Sequence, residues 1–307
     1  MSVVLCAPTY AEALGQIAAA REELVVMTAE NRAAIRGLPD ALGDRFIDVG
    51  ICEQTLIGAA AGLALRGRVP VVHALAAFLV MRAFEFIRTD VGIGRLPVKL
   101  VGYIPGFLSE ANGPTHQALE DVALMRGIPG MQVFCPADAQ DLVESLPAIL
   151  ASPAPAYIRY TAQEPEVAHE PFVIGRAEVL SDGPGVAILT YGFLLREALE
   201  ARRLLESQGI SVTLVNLRTL KPIDRTVVRR IAACRLVATV EDHFQIGGLH
   251  SILAETLLAE RLTARVLPLA LDERWFTPGR LPEVLRKERF TGQQIAERIL
   301  EALREEA

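Results

Sequence analysis

The sequence has no basic stripe and no alternation of basic with aromatic residues, and its 31 Lys and Arg are outnumbered by 37 Asp and Glu, a net charge of −6. Such a chain offers little to a nucleic-acid backbone, whose binding rests on clustered positive charge. Cysteine is scarce. Cys6, Cys52, Cys135 and Cys234 lie far apart and match neither a zinc spacing nor a disulfide framework. The opening MSVVLCAPTY has neither the charged start nor the apolar stretch of a secretory signal. These absences lead us to expect a cytoplasmic protein with reduced thiols. Long apolar runs are missing too. Although the mean hydropathy is +0.31, the most apolar segments, 55–65 and 69–81, are cut by Gly58, Gly62, Pro70 and His73. They fall short of the roughly 20 residues of a membrane-spanning helix. No fixed-period repeat and no low-complexity tract occurs.

What is present reads as buried sheet. Apolar residues make up 51% and charged residues 22% of the 307 positions, enough for about two domains at roughly 150 residues each. Short Val, Ile and Leu runs alternate with amphipathic stretches, the pattern of βαβ units around parallel sheets covered on both faces. Strands are expected at 24–28, 46–49, 69–73, 98–103, 132–135 and 156–160, with helices over 11–22, 53–66, 78–92 and 138–151. Pro153, Pro155, Pro165 and Pro171 then bar a long helix. A second alternation follows, with strands at 186–190, 211–216, 236–241 and 264–267 and helices at 194–208, 224–234, 249–259 and 292–304. The expected fold is two doubly wound, mostly parallel-sheet α/β domains in series, residues 1–165 and 166–307.

Three segments carry candidate chemistry. In Asp48-Val-Gly-Ile-Cys-Glu53-Gln54 an apolar strand ends at Gly50 and a carboxylate opens a small-residue helix, at the sheet edge where open α/β folds place ligands. On position alone, Glu53 could equally do no more than complement the helix dipole. In Gly113-Pro-Thr-His116-Gln117 a histidine sits on a loop after a strand, able to move protons near neutral pH or simply to cap the loop. The stretch from Leu75 through Phe78 and Met81 to Phe84 has helical spacing, and such a stripe ordinarily fills a core.

Taken in order, these segments resemble the pyrimidine-binding domain of transketolase and its thiamine diphosphate-dependent relatives. DVGICEQTLIGAAAGLALRG is similar to the family's glutamate-bearing segment, the stretch after Pro70 to its aromatic segment, and NGPTHQALEDVALMRGIPGMQVFCPADAQD to its loop and following strand. NLRTLKPID, VEDHFQIGGLHSILAE and LDERWFTPG resemble its C-terminal domain, so the resemblance spans nearly the whole chain. The Gly-Asp-Gly run that marks the family's magnesium-diphosphate site is missing, with Asp182-Gly183 the nearest trace. The chain therefore looks like the C-terminal half of a split transketolase. The resemblance implies thiamine diphosphate as cofactor, Mg²⁺ bound by a separate partner subunit rather than by this chain, and an α2β2 heterotetramer.

The resemblance also implies roles for individual residues. Glu53 matches the carboxyl group that hydrogen-bonds the cofactor's pyrimidine nitrogen, a role that calls for a dry pocket. Phe78 matches the aromatic that stacks on the pyrimidine, a contact worth about 0.5–1.5 kcal/mol beyond area burial, with Leu75 and Met81 flanking it. His116 matches the histidine that hydrogen-bonds substrate oxygens as charge develops. The substrate half departs from the family. Tyr103 stands where sugar-phosphate transketolases have a second histidine, Asn112 where they have an aspartate, and Ala7 and Ala162 where arginines grip phosphate. Arg159 is near Ala162, but a strand neighbour points the other way. The implied activity is transfer of a two-carbon ketol or acyl unit from a ketose or 2-oxoacid. A 2-oxoacid dehydrogenase-type β subunit and a non-catalytic partner subunit are the alternatives.

Overall fold

The computed structural model describes residues 9–305. Its strands are β1 (Leu24–Thr28), β2 (Phe46–Asp48), β3 (Val69–Leu75), β4 (Lys99–Tyr103), β5 (Gln132–Phe134), β6 (Ala156–Arg159), β7 (Glu178–Ser181), β8 (Val186–Thr190), β9 (Val212–Asn216), β10 (Thr219–Lys221), β11 (Leu236–Phe244) and β12 (Val266–Leu271). They build a seven-stranded sheet in the order β10-β5-β6-β4-β3-β1-β2 and a five-stranded sheet in the order β12-β11-β8-β9-β7. Only the edge pairs β10–β5 and β7–β9 are antiparallel. Two α/β domains in series, each a mostly parallel sheet with helices on its faces, are the result.

The apolar runs form strands because both faces are covered. Every residue of β1, β4, β8 and β9 is buried. Along β1 the side chains alternate between two cores. Val25 and Met27 pack with Leu56 and Ile57 of helix Glu53–Leu65, while Leu24 and Val26 pack with Leu14 of helix Tyr10–Ala20 and Leu142 of helix Ala139–Ala151. Caps hold the helix starts. Thr9 forms a capping box with Glu12, and Asp138 accepts the Asp141 amide at 3.0 Å.

Three features differ from the sequence expectation. The helix expected over 78–92 is interrupted: π-helical turns at Phe78–Arg82 and Ile87–Ile93 flank a single α-turn at Phe84–Phe86, a distortion often found at functional sites. The edge strand β10 lies well past the proline-rich segment in sequence, yet completes the first sheet by pairing Thr219 with Phe134. Its three residues are followed by Pro222, too short a run to show a period. Finally, β11 runs three residues past Glu241, and β12 ends at Leu271. Among the described residues no helix is long and apolar enough to cross a membrane.

The segment joining the domains is clasped by a histidine. The His169 ring lies between Asp138 (2.7 Å) and Glu178 (2.9 Å), one carboxylate from each domain, with its side chain fully buried. Burial pulls the imidazole down, but the two carboxylates outweigh it and hold its pKa up at about 10. The same bonds hold Glu178 down at about 2 against its own burial. Histidine's share of stability is therefore complete below about pH 6.5 and fades as pH rises through about 10; that of Glu178 is complete above about pH 4.5 and fades towards pH 2. His169→Leu is expected to cost about 2 kcal/mol at pH 6. Urea unfolding of both proteins should show that gap closing at pH 10.5; a gap independent of pH would refute the clasp.

Candidate active site

The site is built on segments that follow the carboxyl ends of β2, β3 and β4, strands of one sheet in which β1 lies between β2 and β3. Asp48 closes β2 and its carboxylate accepts the amides of Gly50 (2.9 Å) and Glu30 (3.0 Å) and the Nε of Arg32 (2.7 Å). Burial pushes its carboxyl up, but these bonds together hold it below the usual range. Gly50 takes a φ of 72°, a left-handed turn that glycine adopts without steric cost. The turn delivers Glu53 to the first position of its helix, where the residue is only 2% exposed.

After β3, the first π-helical turn presents Phe78 and Arg82 together. The Arg82 guanidinium carbon lies 4.3 Å from the Phe78 ring centroid, and its Nη1 donates to Glu53 Oε2 at 2.8 Å. The loop after β4 brings His116, whose ring meets the Phe78 ring edge-on at a centroid distance of 4.9 Å. His116 Nδ1 is 2.9 Å from the Thr115 hydroxyl. Glu53, Arg82, Phe78 and His116 thus form one continuous cluster, although 63 residues separate Glu53 from His116 in sequence. Met81 is half-buried against Ala76, Ala77 and Ala118 beside Phe78.

The remaining candidates lie elsewhere. Leu75 pairs with Tyr103 across β3 and β4 and packs half-buried into the core on the helix Tyr10–Ala20 side. Tyr103 is 4% exposed, stacked on His73 and edge-on to Tyr160, and its hydroxyl has no partner among the described residues. Below it His73 receives the Tyr10 hydroxyl at Nε2 (2.9 Å) and donates from Nδ1 to the Met27 carbonyl (3.1 Å), the one neutral tautomer that satisfies both. Burial pushes it down to about 4, so it is uncharged at neutral pH. Asn112 is exposed and donates to the Ser109 carbonyl of its own turn. Ala162 is exposed, and Ala7 lies outside the described residues. Among the described residues no group of three or more His, Cys, Asp or Glu is placed to hold a metal ion.

The second domain fixes the His116 loop. Arg159 at the end of β6 donates to Asp121 (2.9 Å) and, across the domain boundary, to Asp242 (2.5 Å). All three are buried. Asp242 also accepts the Phe107 amide at 3.3 Å, the Phe107 ring packs edge-on against Phe276 and Phe290, and Gln117 donates to the Phe276 carbonyl at 2.9 Å. Gly106, with a φ of 57°, lets Asp242 approach: a Cβ there would lie 1.8 Å from Oδ2. Sequence reasoning passed over Arg82 and this network. Arg82 left one signal, a single cation four residues after Phe78 in an apolar stripe.

Comparison with known proteins agrees with this architecture. The transketolase pyrimidine-binding domain matches residues 6–166 and the transketolase C-terminal domain residues 175–295. A Methanocaldococcus jannaschii protein described as a transketolase C-terminal section is 33% identical, covering 97% of this chain and 96% of its own. The 6-deoxy-6-sulfo-D-fructose transketolase subunit SqwH of a Clostridium species is 38% identical over 81% of this chain and 79% of its own. A solved structure titled as a split gene transketolase, inactive β4 tetramer, superposes with a TM-score of 0.87 at 34% identity, over 96% of each chain. With both domains matched in order over a shared fold, the chain belongs to the transketolase family and corresponds to its C-terminal half.

Proposed function

We propose that this chain is the β-type subunit of a split, thiamine diphosphate-dependent transketolase of the cytoplasm, moving a two-carbon unit from a ketose to an acceptor. The observation that carries the reading is the convergence of a buried carboxylate, a half-buried aromatic ring and a histidine from the segments that follow β2, β3 and β4 of one sheet. The residues fit a thiamine pyrimidine. Glu53 already accepts an N–H from a planar cation, and the Phe78 face already carries that cation. Thiamine diphosphate, when bound, supplies a carbon nucleophile that takes up and releases the two-carbon unit. Glu53 would hold a proton towards the pyrimidine nitrogen, Phe78 and Met81 would orient the ring, and His116 would donate to the substrate oxygen on which charge develops.

The magnesium-diphosphate ligands are assigned to a partner subunit in an α2β2 assembly. The β4 relative described as inactive supports this. So do Ile51, Leu65, Phe86 and Ile93, large apolar side chains left exposed on the segments that follow β2 and β3. Calorimetry should detect no tight thiamine diphosphate binding to the chain alone and saturable binding once the diphosphate-domain subunit is added, with sedimentation showing the larger complex. Tight binding by the chain alone would refute the split site.

The substrate is not gripped by phosphate from this chain, because no arginine stands at Ala162, and Arg159 is committed to Asp121 and Asp242. Charge-assisted bidentate bonds are what a buried phosphate needs. The relative named for a sulfonated sugar fits an enzyme class whose substrates need not carry phosphate. Phosphorylated and unphosphorylated ketose donors are expected to differ in kcat/KM by less than about tenfold, roughly 1.4 kcal/mol. A large preference for the phosphorylated donor that survives mutation of the partner's basic residues would overturn this.

A further inference from the structure

The two contacts assigned to the cofactor ring, stacking on Phe78 and a hydrogen bond to Glu53, are both made here by one side chain of the protein itself. The Arg82 guanidinium is flat and carries N–H donors along its edge. It lies over the Phe78 ring, 4.3 Å from Cζ to centroid, and reaches the buried Glu53 Oε2 at 2.8 Å. Its own side chain is 41% exposed, so it can swing outward into solvent, whereas Glu53 is buried at the start of its helix. We propose that Arg82 occupies the pyrimidine seat and acts as a competitive internal plug, displaced when the thiamine pyrimidine binds and returning when it leaves. This inference rests on the thiamine reading above.

The consequence is a cofactor affinity set partly by a residue that touches no cofactor atom in the bound state. While seated, Arg82 keeps the buried Glu53 carboxylate paired; an unpaired buried charge would otherwise be costly. Binding must break one half-exposed ion pair and one cation–π contact, which together correspond to about a tenfold loss of affinity. Replacing Arg82 by an uncharged side chain should return that factor.

The test is calorimetric titration of thiamine diphosphate with Mg²⁺ into the complex of the full chain and its diphosphate-domain subunit, comparing wild type, Arg82→Met, Arg82→Gln and Glu53→Gln. Arg82→Met is expected to bind about tenfold more tightly, with faster association in stopped flow and a lowered unfolding midpoint of the cofactor-free protein, because Glu53 loses its partner. Arg82→Gln, which can still hydrogen-bond Glu53 but loses the cation, should fall between it and wild type, and covers the case in which the methionine variant does not fold. Unchanged or weaker binding by both Arg82 variants, with the wild type binding normally, overturns the plug and leaves the thiamine reading standing. Failure of the wild-type complex to bind at all, or binding unaffected by Glu53→Gln, overturns the thiamine reading and the plug with it.

Discussion

Glu53→Gln is expected to leave the fold intact and to lower kcat of the assembled enzyme by at least about 100-fold, roughly 2.7 kcal/mol of transition-state stabilisation. An amide can still accept a hydrogen bond, but it cannot share a proton with a pyrimidine nitrogen. The side chain lies at the first position of helix Glu53–Leu65, almost wholly buried, where no water can substitute for it. Stability should change little, because a neutral amide of the same shape still receives Arg82 Nη1, and an uncharged group is less costly to bury. Steady-state kinetics beside a urea titration separates the two effects. Activity within tenfold of wild type would remove Glu53 from the chemistry.

The second large effect is structural. Arg159→Met is expected to destabilise the chain by about 3–5 kcal/mol, the usual consequence of stripping one partner from a buried charge cluster. Asp121 and Asp242 would face each other in the dry boundary between the domains, where burial already pushes Asp242 up and the Arg159 guanidinium, more than the Phe107 amide, pulls it back. Asp242 holds the Phe107 amide at the base of the His116 loop. The loss should therefore reach the active site as well, raising KM in protein that is still folded. Adding Asp242→Asn to the arginine variant should recover part of the stability, since one uncompensated charge is removed; a purely additive double variant would show that the pair is not coupled.

The local reading succeeded wherever neighbours in sequence decide the outcome. The buried runs of β1, β4, β8 and β9 declare themselves by composition, and the turn through Gly50 to Glu53 combines a strand end, a glycine and a carboxylate within six residues. The interrupted helix after β3 was not legible, because π-helical turns use the same apolar spacing as an α-helix over so short a span. The antiparallel edges β7 and β10 are four and three residues long, too brief for a period of two to stand out from a loop.

Sequence alone determined two α/β domains, through strand composition and helix caps, and its ordered motifs carried the resemblance to the transketolase C-terminal half, because each of these signals is encoded over a few adjacent residues. Tertiary structure decided how the site is assembled. Arg82 meets Phe78 and Glu53 only because β2 and β3 end at the same edge of one sheet with β1 between them. Arg159, which reads in sequence as a spare basic residue near the substrate segment, is removed from solvent by Asp121 and by Asp242 from the other domain. A charged side chain in a low-dielectric boundary must go where its counter-charges are, and those positions exist only once the second domain has docked against the first.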